Sequence, residues 1–210
     1  MKEKAKISDA VVKRLPVYRR YLEELIKDDV ERISSNELSS LIGFTASQIR
    51  QDLNNFGGFG QQGYGYSVSY LYEEIGAILG LDKEYKIVIV GYGRLGQAMA
   101  SYIAKNEVNF HICGIFDVKQ IIQDVSFKDA QIMTCGSLAG FIKKENIDIA
   151  VITVPAEKAQ IVADTVSGAG VKGIWNFTAV DLELPEDVAV ENVHMSDSLH
   201  ALAYYMQDVE

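Results

Sequence analysis

Three glycines in the middle of the chain have the spacing needed to hold a pyrophosphate. Gly91, Gly93 and Gly96 follow the apolar run Ile87–Val90 directly, and a helix-like pattern comes after them. In a strand–turn–helix unit, the first glycine permits the tight turn, the second lets backbone N–H groups approach the phosphates, and the third lets the helix pack on the strand. The partial positive charge of the helix N-terminus then faces the pyrophosphate.

One acidic residue extends this pattern from phosphate binding to dinucleotide binding. Asp117 lies 21 residues after Gly96 (117 − 96), at the end of the β-rich run Phe110–Val118. An acid at this position accepts hydrogen bonds from the ribose hydroxyls of adenosine and repels a 2′-phosphate. The pair of signals therefore predicts NADH and NAD⁺ as cofactors. The alternative interpretation of Asp117 is an ordinary turn residue at a strand end.

The elements after residue 85 predict a Rossmann-type doubly wound parallel sheet covering residues 85–193. Ile147–Val154 is an apolar strand, Glu157–Ala169 a helix, and Val171–Phe177 and Val188–Val193 further strands. Open α/β sheets bind ligands at the carboxyl ends of their strands. The predicted cofactor-binding residues are Gly91, Tyr92, Gly93, Arg94, Leu95, Gly96, Asp117, Thr153, Val154 and Pro155.

Length and composition set the outer bounds. With 210 residues and 48% hydrophobic content, the chain suits two small domains. We expect a cytoplasmic protein, because no apolar run approaches the roughly 18 residues of a membrane span and no signal peptide precedes the first helix. Cys113 and Cys135 are expected to be reduced thiols. The three histidines are scattered, so no metal site is expected.

The net charge of −9 is unevenly distributed along the chain. Residues 1–60 contain ten Lys/Arg and nine Asp/Glu, whereas residues 61–210 contain ten and twenty. Within residues 1–20 the balance is seven against two. A basic first helix on an otherwise acidic chain indicates a local surface for nucleic acid. The alternative is a solvated helix face without a partner.

The N-terminal pattern favours a helix-turn-helix. Ser8 is positioned to cap a helix that runs to about Asp28. Ser34–Glu37 and Thr45–Gln48 each fit a capping box that opens a short helix, and Gly43 supplies the turn between them. Polar residues of the second short helix would project outward, and their types can bond base edges and phosphates.

A wing is predicted after the helix-turn-helix. Asn55–Tyr66 contains five glycines and four aromatic residues, a composition that suits a tightly bent hairpin with an aromatic base. A plain glycine-rich linker is the alternative. A helix from about Tyr70 to Leu79 completes the DNA-binding domain, residues 1–80. The predicted DNA-binding residues are Arg14, Thr45, Ser47, Gln48, Arg50, Gln51, Asn54, Gln61, Gln62 and Tyr64.

Five segments of the chain occur in the order typical of one known family: TASQIRQDLNNFGGFGQQGYGYSV, KIVIVGYGRLGQAMA, FDV, ITVPAEKAQ and GIWNFTAVDLELPEDVAVENV. On these segments, the chain resembles the Rex family of redox-sensing transcriptional repressors. The resemblance covers nearly the whole chain. It implies a homodimer that binds an inverted repeat in double-stranded DNA when NAD⁺ prevails and leaves it when NADH rises. It also implies that a C-terminal helix, residues 196–208, is exchanged between subunits, although packing on its own subunit remains open.

The sequence departs from the commoner family pattern at several positions. Many members carry a basic residue where Gln51 stands and basic residues at the wing tip where Gln61 and Gln62 stand. The loss of these charges should weaken the phosphate-driven part of DNA binding, and the glutamines could read bases instead. Many members also place an acid near His194, a role that Asp197 could take here.

Two other functions remain open at the level of sequence. An NAD-dependent oxidoreductase with a regulatory N-terminal domain would need a substrate domain and a positioned acid or base, and neither is evident after residue 193. Another adenine nucleotide, such as coenzyme A, could occupy the same fold. The repressor interpretation predicts a protein that is not an enzyme and that measures the cofactor without using it.

Overall fold

The computed structural model of the protein describes residues 7–61, 64–118 and 132–208. The chain separates into two compact units, with the division between Lys83 and Glu84. The first unit contains four helices and a small antiparallel sheet, and the second contains a six-stranded parallel sheet with helices. The predicted α/β class, a winged helix-turn-helix followed by a Rossmann-type sheet, is confirmed.

The first unit is built around the apolar stripe of its long first helix. Val11, Leu15, Tyr18 and Leu22 are buried at the three- and four-residue spacing expected of one helix face. Leu15, Tyr18 and Leu22 pack with buried residues of the three other helices. The elements of this unit are α1 (Asp9–Lys27), β1 (Arg32–Ile33), α2 (Ser35–Ile42), α3 (Ala46–Asn54), β2 (Gly60–Gln61), β3 (Gly65–Ser67) and α4 (Val68–Ile78).

The predicted helix caps are formed to different degrees. At α2 both bonds of the capping box are present, since Ser34 Oγ accepts from the Glu37 N–H and the Glu37 carboxylate accepts from the Ser34 N–H. At α3 only half of the predicted box forms, because Thr45 Oγ1 accepts from the Gln48 N–H without a returning bond from the Gln48 side chain. Ser8 is the N-cap of α1, but its side chain makes no capping bond.

The predicted wing is part of a three-stranded antiparallel sheet in the order β1-β3-β2. Ile33 of β1 and Gly60 of β2 both lie opposite Tyr66 of β3. Gly65 has φ +70°, and a Cβ there would lie 2.7 Å from the Ile33 carbonyl oxygen. Glycine is therefore required where β3 passes the Ile33 carbonyl of β1. The sequence pattern did not predict β1, which anchors the wing to the helix-turn-helix.

The sheet of the second unit is parallel throughout and has the order β6-β5-β4-β7-β8-β9. This is the Rossmann strand order, and it reverses beside β4, where such folds bind their ligand. The strands are β4 (Tyr85–Val90), β5 (Phe110–Asp117), β6 (Ile132–Thr134), β7 (Ile149–Ile152), β8 (Gly173–Asn176) and β9 (Ala189–Asn192). The helices are α5 (Arg94–Asn106), α6 (Leu138–Glu145), α7 (Ala156–Ala169) and α8 (Met195–Tyr205).

Both faces of the parallel sheet are covered by helices, which explains why β4 is apolar at consecutive positions. Val88 and Val90 pack in a cluster with residues of α6 and α7. Ile87 and Ile89 pack on the other face with Ala100 and residues near it on α5. Side chains alternate between the two faces of a strand, so a central strand must be apolar on both.

The C-terminal helix α8 contains no buried residue. Its larger apolar side chains, among them Leu199 and Leu202, are each more than half exposed. Within the described residues, no helix is long and apolar enough to span a membrane.

Candidate functional site

The glycine turn after β4 is closed so tightly that two of its glycines leave no room for a side chain. Gly91 has φ +99°, and a Cβ there would lie 2.9 Å from the backbone of Thr153. A Cβ on Gly96 would overlap the Gly91 carbonyl oxygen. Thr153 Oγ1 fixes the turn by donating to that same carbonyl oxygen at 2.8 Å. The two glycines therefore serve the turn geometry and the helix–strand packing predicted for them.

Gly93 differs from the other two glycines. Its φ is −69°, and a Cβ built on it would meet no atom within 4 Å. Gly93 is the N-cap of α5 and provides no side-chain capping bond to the N–H groups of the first helical turn, which begins with Arg94 and Leu95. Those N–H groups lack partners within the helix and suit an anion. The space beside Gly93 thus fits the approach of a pyrophosphate.

Asp117 lies beside the glycine turn, as predicted. It ends β5, which pairs with β4, and its Oδ2 accepts a hydrogen bond of 2.7 Å from the Tyr92 N–H. The carboxylate is thereby fixed at the carboxyl edge of the sheet, one strand away from the turn that fits phosphate. This spacing matches a ribose that is joined to a pyrophosphate.

The remaining predicted cofactor residues take different positions around this edge. The Tyr92 side chain is 5% exposed and packs in the apolar cluster beneath α5, so its backbone rather than its ring faces the turn. Burial raises the pKa of the Tyr92 hydroxyl. Val154 is half-buried against the other cluster, and Pro155 is the exposed N-cap of α7.

Cys135 is a neighbour of this edge that sequence reasoning missed. Thr134, the last residue of β6, lies opposite Asp117, and Cys135 follows it. Burial raises the pKa of the Cys135 thiol, and the negative charge of Asp117 raises it further. A three-residue strand has too little pattern to be recognised, so nothing in the sequence brought Cys135 next to Asp117.

Helix α3 presents a polar exposed face. Ser47, Arg50, Gln51 and Asn54 are exposed, while Gln48 is half-buried. The Arg50 guanidinium donates to Ser35 Oγ at 2.7 Å, so this side chain is directed towards the start of α2. The two helices of the helix-turn-helix, α2 and α3, are therefore joined by a side-chain contact as well as by their turn.

The opposite side of α3 contains a buried ion pair. Asp52 is 2% exposed, and its two carboxylate oxygens accept from Arg14 Nε at 2.6 Å and from Arg14 Nη2 at 2.7 Å. The Tyr18 hydroxyl donates to Asp52 Oδ2 at 2.6 Å. Arg14, predicted from its charge to contact DNA, thus has a bidentate partner inside the unit and connects α1 to α3. Its contact with DNA stays a prediction.

Ionisation of the pair follows from this geometry. Burial alone would raise the pKa of Asp52, but the hydrogen bonds from Arg14 and Tyr18 outweigh it and lower that pKa below its ordinary value. Burial and the bond to Asp52 raise the pKa of the Tyr18 hydroxyl. The charged form of Asp52 is therefore the one that the fold stabilises.

The predicted wing residues are only partly described. Gln61 lies in β2, and Gln62 lies outside the described residues. The Tyr64 side chain is 70% exposed. Arg32 of β1, which sequence reasoning did not select, donates from Nη1 to the Tyr64 carbonyl oxygen at 3.1 Å.

Family profiles match both halves of the chain. Residues 6–54 match the family described as "Putative DNA-binding protein N-terminus", and residues 82–180 match the one described as "CoA binding domain". A redox-sensing transcriptional repressor Rex from Thermoanaerobacter pseudethanolicus is 51% identical over 210 residues, which cover 100% of this chain and 94% of that protein. The Rex of Clostridium perfringens is 52% identical over 206 residues, covering 98% and 97%.

The chain belongs to the Rex family of redox-sensing transcriptional repressors. Its Rex relatives are repressors rather than enzymes, which agrees with the sequence-based expectation. Among solved structures, "Crystal structure of RSP in complex with beta-NAD+ and operator DNA" superposes with a TM-score of 0.89 at 50% identity, covering 97% of this chain and 94% of that one. RSP in complex with beta-NADH also has a TM-score of 0.89, at 48% identity, with coverage of 97% and 96%.

The cofactor edge with the glycine turn and the polar face of α3 lie in different units of the chain. The glycine turn and Asp117 lie in the unit that has the Rossmann strand order, and the polar face of α3 lies in the unit whose sequence matches a DNA-binding family. In the described part of the chain, no cluster of three or more His, Cys, Asp or Glu side chains could hold a metal ion.

Proposed function

We propose that this chain represses transcription by binding an inverted-repeat operator when NAD⁺ prevails and by leaving it when NADH rises. The observation that carries the proposal is the presence, on one chain, of a closed glycine turn with Asp117 beside it and of a polar, exposed α3. The relative RSP has been crystallised both with NADH and with NAD⁺ and operator DNA, which supports the same pairing of ligands.

The cofactor residues we propose lie along the carboxyl edge of β4, β5 and β7. Backbone N–H groups from Gly93 to Gly96 would hold the pyrophosphate, with Gly91 and Thr153 maintaining the turn. The Asp117 carboxylate would accept from the ribose hydroxyls. Tyr92, Arg94, Leu95, Val154 and Pro155 complete the proposed set. When bound, the nicotinamide supplies the signal through its charge, which is positive in NAD⁺ and absent from the ring in NADH.

The DNA contacts we propose divide between α3 and the wing. Ser47, Gln51 and Asn54 share the exposed face of α3 and would read base edges in the major groove. Thr45, Gln48 and Arg50 would position the helix ends, and the wing residues Gln61, Gln62 and Tyr64 would follow the phosphate backbone. Arg14 would contribute to DNA binding by holding α3 in place through its hydrogen bonds to Asp52.

We further propose that the repressor is a homodimer joined through α8. Met195, Leu199 and Leu202 of α8 and Met206, its C-cap, recur at spacings of four, three and four residues, which places them along one face. All four are more than half exposed in the single chain. An apolar face of this kind is stabilised by burial against a second copy, and a twofold dimer matches an inverted repeat.

Introducing charge into this face should separate the subunits. We expect the Leu199→Glu/Leu202→Glu double variant to elute as a monomer in size-exclusion chromatography with light scattering, because a dimer would bury both carboxylates. Its operator affinity should fall by about 100-fold, since half-sites then bind singly. Lys144→Glu, which makes the same two-unit charge change on the exposed surface of α6, should remain dimeric. A dimeric double variant would contradict the proposed interface.

We also propose that the protein acts in the cytoplasm, where a repressor meets both the chromosome and the nicotinamide pool. Cys113 and Cys135 are free thiols in the structure, which is the state expected in a reducing compartment.

The ligand and the output can be tested together by fluorescence anisotropy. A labelled duplex, selected by the wild-type chain from a randomised inverted-repeat library, is bound and then titrated with NADH, NAD⁺, NADPH or coenzyme A. We expect release by NADH at the lowest concentration, with NADPH much weaker because Asp117 repels the 2′-phosphate. Equal release by NADH and NAD⁺ would refute the proposal, and steady NADH consumption with a carbonyl substrate would favour an oxidoreductase.

A further inference from the structure

Positive charge is scarce in the part of the chain that faces DNA in the proposed function. From residue 33 to residue 82 the sequence contains a single Lys or Arg, which is Arg50. Binding to DNA depends on cations that neutralise phosphates and release counterions. With one cation across α2, α3, the wing and α4, any further positively charged contact to phosphate beside the wing must come from residues just outside this range.

Arg32 is placed to supply such a contact. It lies on β1, opposite Ser67 of β3, and its side chain is exposed. Its Nη1 donates to the Tyr64 carbonyl oxygen at 3.1 Å, and its guanidinium carbon lies 6.0 Å from the centre of the exposed Tyr64 ring. The Arg32 side chain therefore extends from β1 towards Tyr64, which precedes β3. This contact uses one of the five N–H donors of a guanidinium.

Arg32 also lies close to the start of α2, where the other cation is held. The Arg50 guanidinium donates to Ser35 Oγ at 2.7 Å, three residues after Arg32 in the chain. Arg50 also acts electrostatically on Tyr66, whose pKa is raised by burial and lowered in part by that positive charge. Tyr66 lies opposite Ile33, the neighbour of Arg32. The two arginines thus border the same junction of β1, α2 and the wing.

We infer that Arg32 is the phosphate-binding cation of the wing, held in place by the Tyr64 carbonyl and supplying the charge that the wing sequence lacks. The inference rests on the proposed repressor function. A guanidinium already oriented by one hydrogen bond loses less side-chain freedom when it binds a phosphate, which favours Arg over Lys at such a position. The contact would be independent of base sequence and sensitive to salt.

The test compares Arg32→Gln, Arg32→Lys and the control Lys27→Gln in the full chain. Lys27 is an exposed cation of the same unit, and it pairs with Glu23. Lys27→Gln and Arg32→Gln each remove one positive charge, so the two variants have the same net charge. Affinity for the selected duplex and for a scrambled duplex is measured between 50 and 200 mM salt. Thermal unfolding and NADH binding are measured on the same samples.

Two Arg32 side chains per dimer should contribute about two units of the slope of log affinity against log salt. We expect Arg32→Gln to lose this share, so that the change in affinity between 50 and 200 mM salt shrinks by about tenfold. The loss should be similar for the selected and scrambled duplexes. Arg32→Lys should keep most of the slope, and Lys27→Gln should keep all of it.

Other outcomes separate the inference from the function on which it rests. A wild-type slope in Arg32→Gln, or an equal loss in Lys27→Gln, would overturn the inference. The same would follow if Arg32→Lys behaved like Arg32→Gln, since support of the wing rather than charge would then be the role. In each case wild-type release by NADH would still stand. If the wild type selects no inverted repeat or is not released by NADH, the proposed function fails, and the inference fails with it.

Discussion

Replacing Gly93 with alanine is expected to weaken NADH binding by about 100-fold while leaving the fold intact. A Cβ built at Gly93 would meet no protein atom within 4 Å, and its φ of −69° suits any residue. The bound pyrophosphate would need that space. Loss of two amide–phosphate hydrogen bonds, each worth about 1.5 kcal/mol at the low end, corresponds to about 100-fold in affinity.

The measurement pairs NADH titration with thermal unfolding. Alanine restricts the unfolded chain more than glycine does but is a poorer N-cap for α5, and because these effects oppose each other, Gly93→Ala should unfold close to the wild-type temperature. The variant should still bind operator, and NADH should release it only at about 100-fold higher concentration. Gly140→Ala on α6, which also has open space around its Cβ, is the matched control. Normal NADH affinity in Gly93→Ala would show that the pyrophosphate does not pass this residue.

Gly96→Ala provides a contrast within the same turn. Its Cβ would overlap the Gly91 carbonyl oxygen, which is backbone and cannot move aside cheaply. We therefore expect Gly96→Ala to lose both stability and NADH binding, whereas Gly93→Ala loses only binding. The pair distinguishes a glycine needed by the ligand from a glycine needed by the fold.

Replacing Asp52 with asparagine is expected to destabilise the DNA-binding unit by about 3–5 kcal/mol. The carboxylate is buried and accepts three hydrogen bonds, two from Arg14 and one from Tyr18. An amide cannot accept at both ends, so the Arg14 guanidinium would lose its countercharge and part of its bonding, and breaking buried pairs in this way costs several kcal/mol. Operator binding should be lost because α3 is no longer fixed to α1.

Denaturant unfolding, operator binding and NADH binding separate this effect from a general loss of fold. Asp52→Asn should lower the free energy of unfolding and the operator affinity but leave the NADH affinity unchanged, since the second unit has its own core. Asp28→Asn makes the same chemical change at an exposed position and should be silent. Wild-type stability in Asp52→Asn would mean that the ion pair contributes nothing net.

The Arg14–Asp52 ion pair also predicts how the free energy of unfolding depends on pH. Because the pKa of Asp52 is lower in the folded than in the unfolded chain, its stabilisation is fully present above the unfolded value of about 3.9. It is then lost as the pH falls through the folded pKa. The wild type should therefore lose stability more steeply than Asp52→Asn in this range.

Local signals in the sequence were enough to predict the turn and most helices. The Ser34–Glu37 capping box and the glycine turn from Gly91 to Gly96 depend on residues close together in the chain, so their types and spacing reveal them. The apolar stripe of α1 and the two-sided burial of β4 follow from regular periodicity. These features needed no knowledge of distant contacts.

Other features depend on contacts that no local pattern encodes. Arg14 meets Asp52 across 38 positions, so its charge indicated a DNA contact while its partner stayed hidden. Strands β1 and β6 have two and three residues, too few to show alternation, and their absence from the predictions concealed Arg32 and Cys135. The short helix α6 was missed as well.

A redox switch of this design depends on a difference in affinity rather than on tight binding. In the proposed switch, NADH would shift the repressor from its DNA-binding to its released arrangement only by as much as it prefers the released one. A strong response requires a preference on the order of 10²-fold or more. The two cofactors differ in charge at the nicotinamide ring, so the preference must arise where that ring is bound.

The coupling of operator release to the redox state of the cofactor can be measured by varying the NADH:NAD⁺ ratio while the total concentration of the two cofactors is held constant. Operator occupancy is followed by anisotropy at two totals that differ tenfold, both well above the dissociation constants. We expect operator occupancy to fall from nearly complete to nearly absent as the ratio rises, along the same curve at both totals. Occupancy that is independent of the ratio, or that follows the total alone, would contradict it.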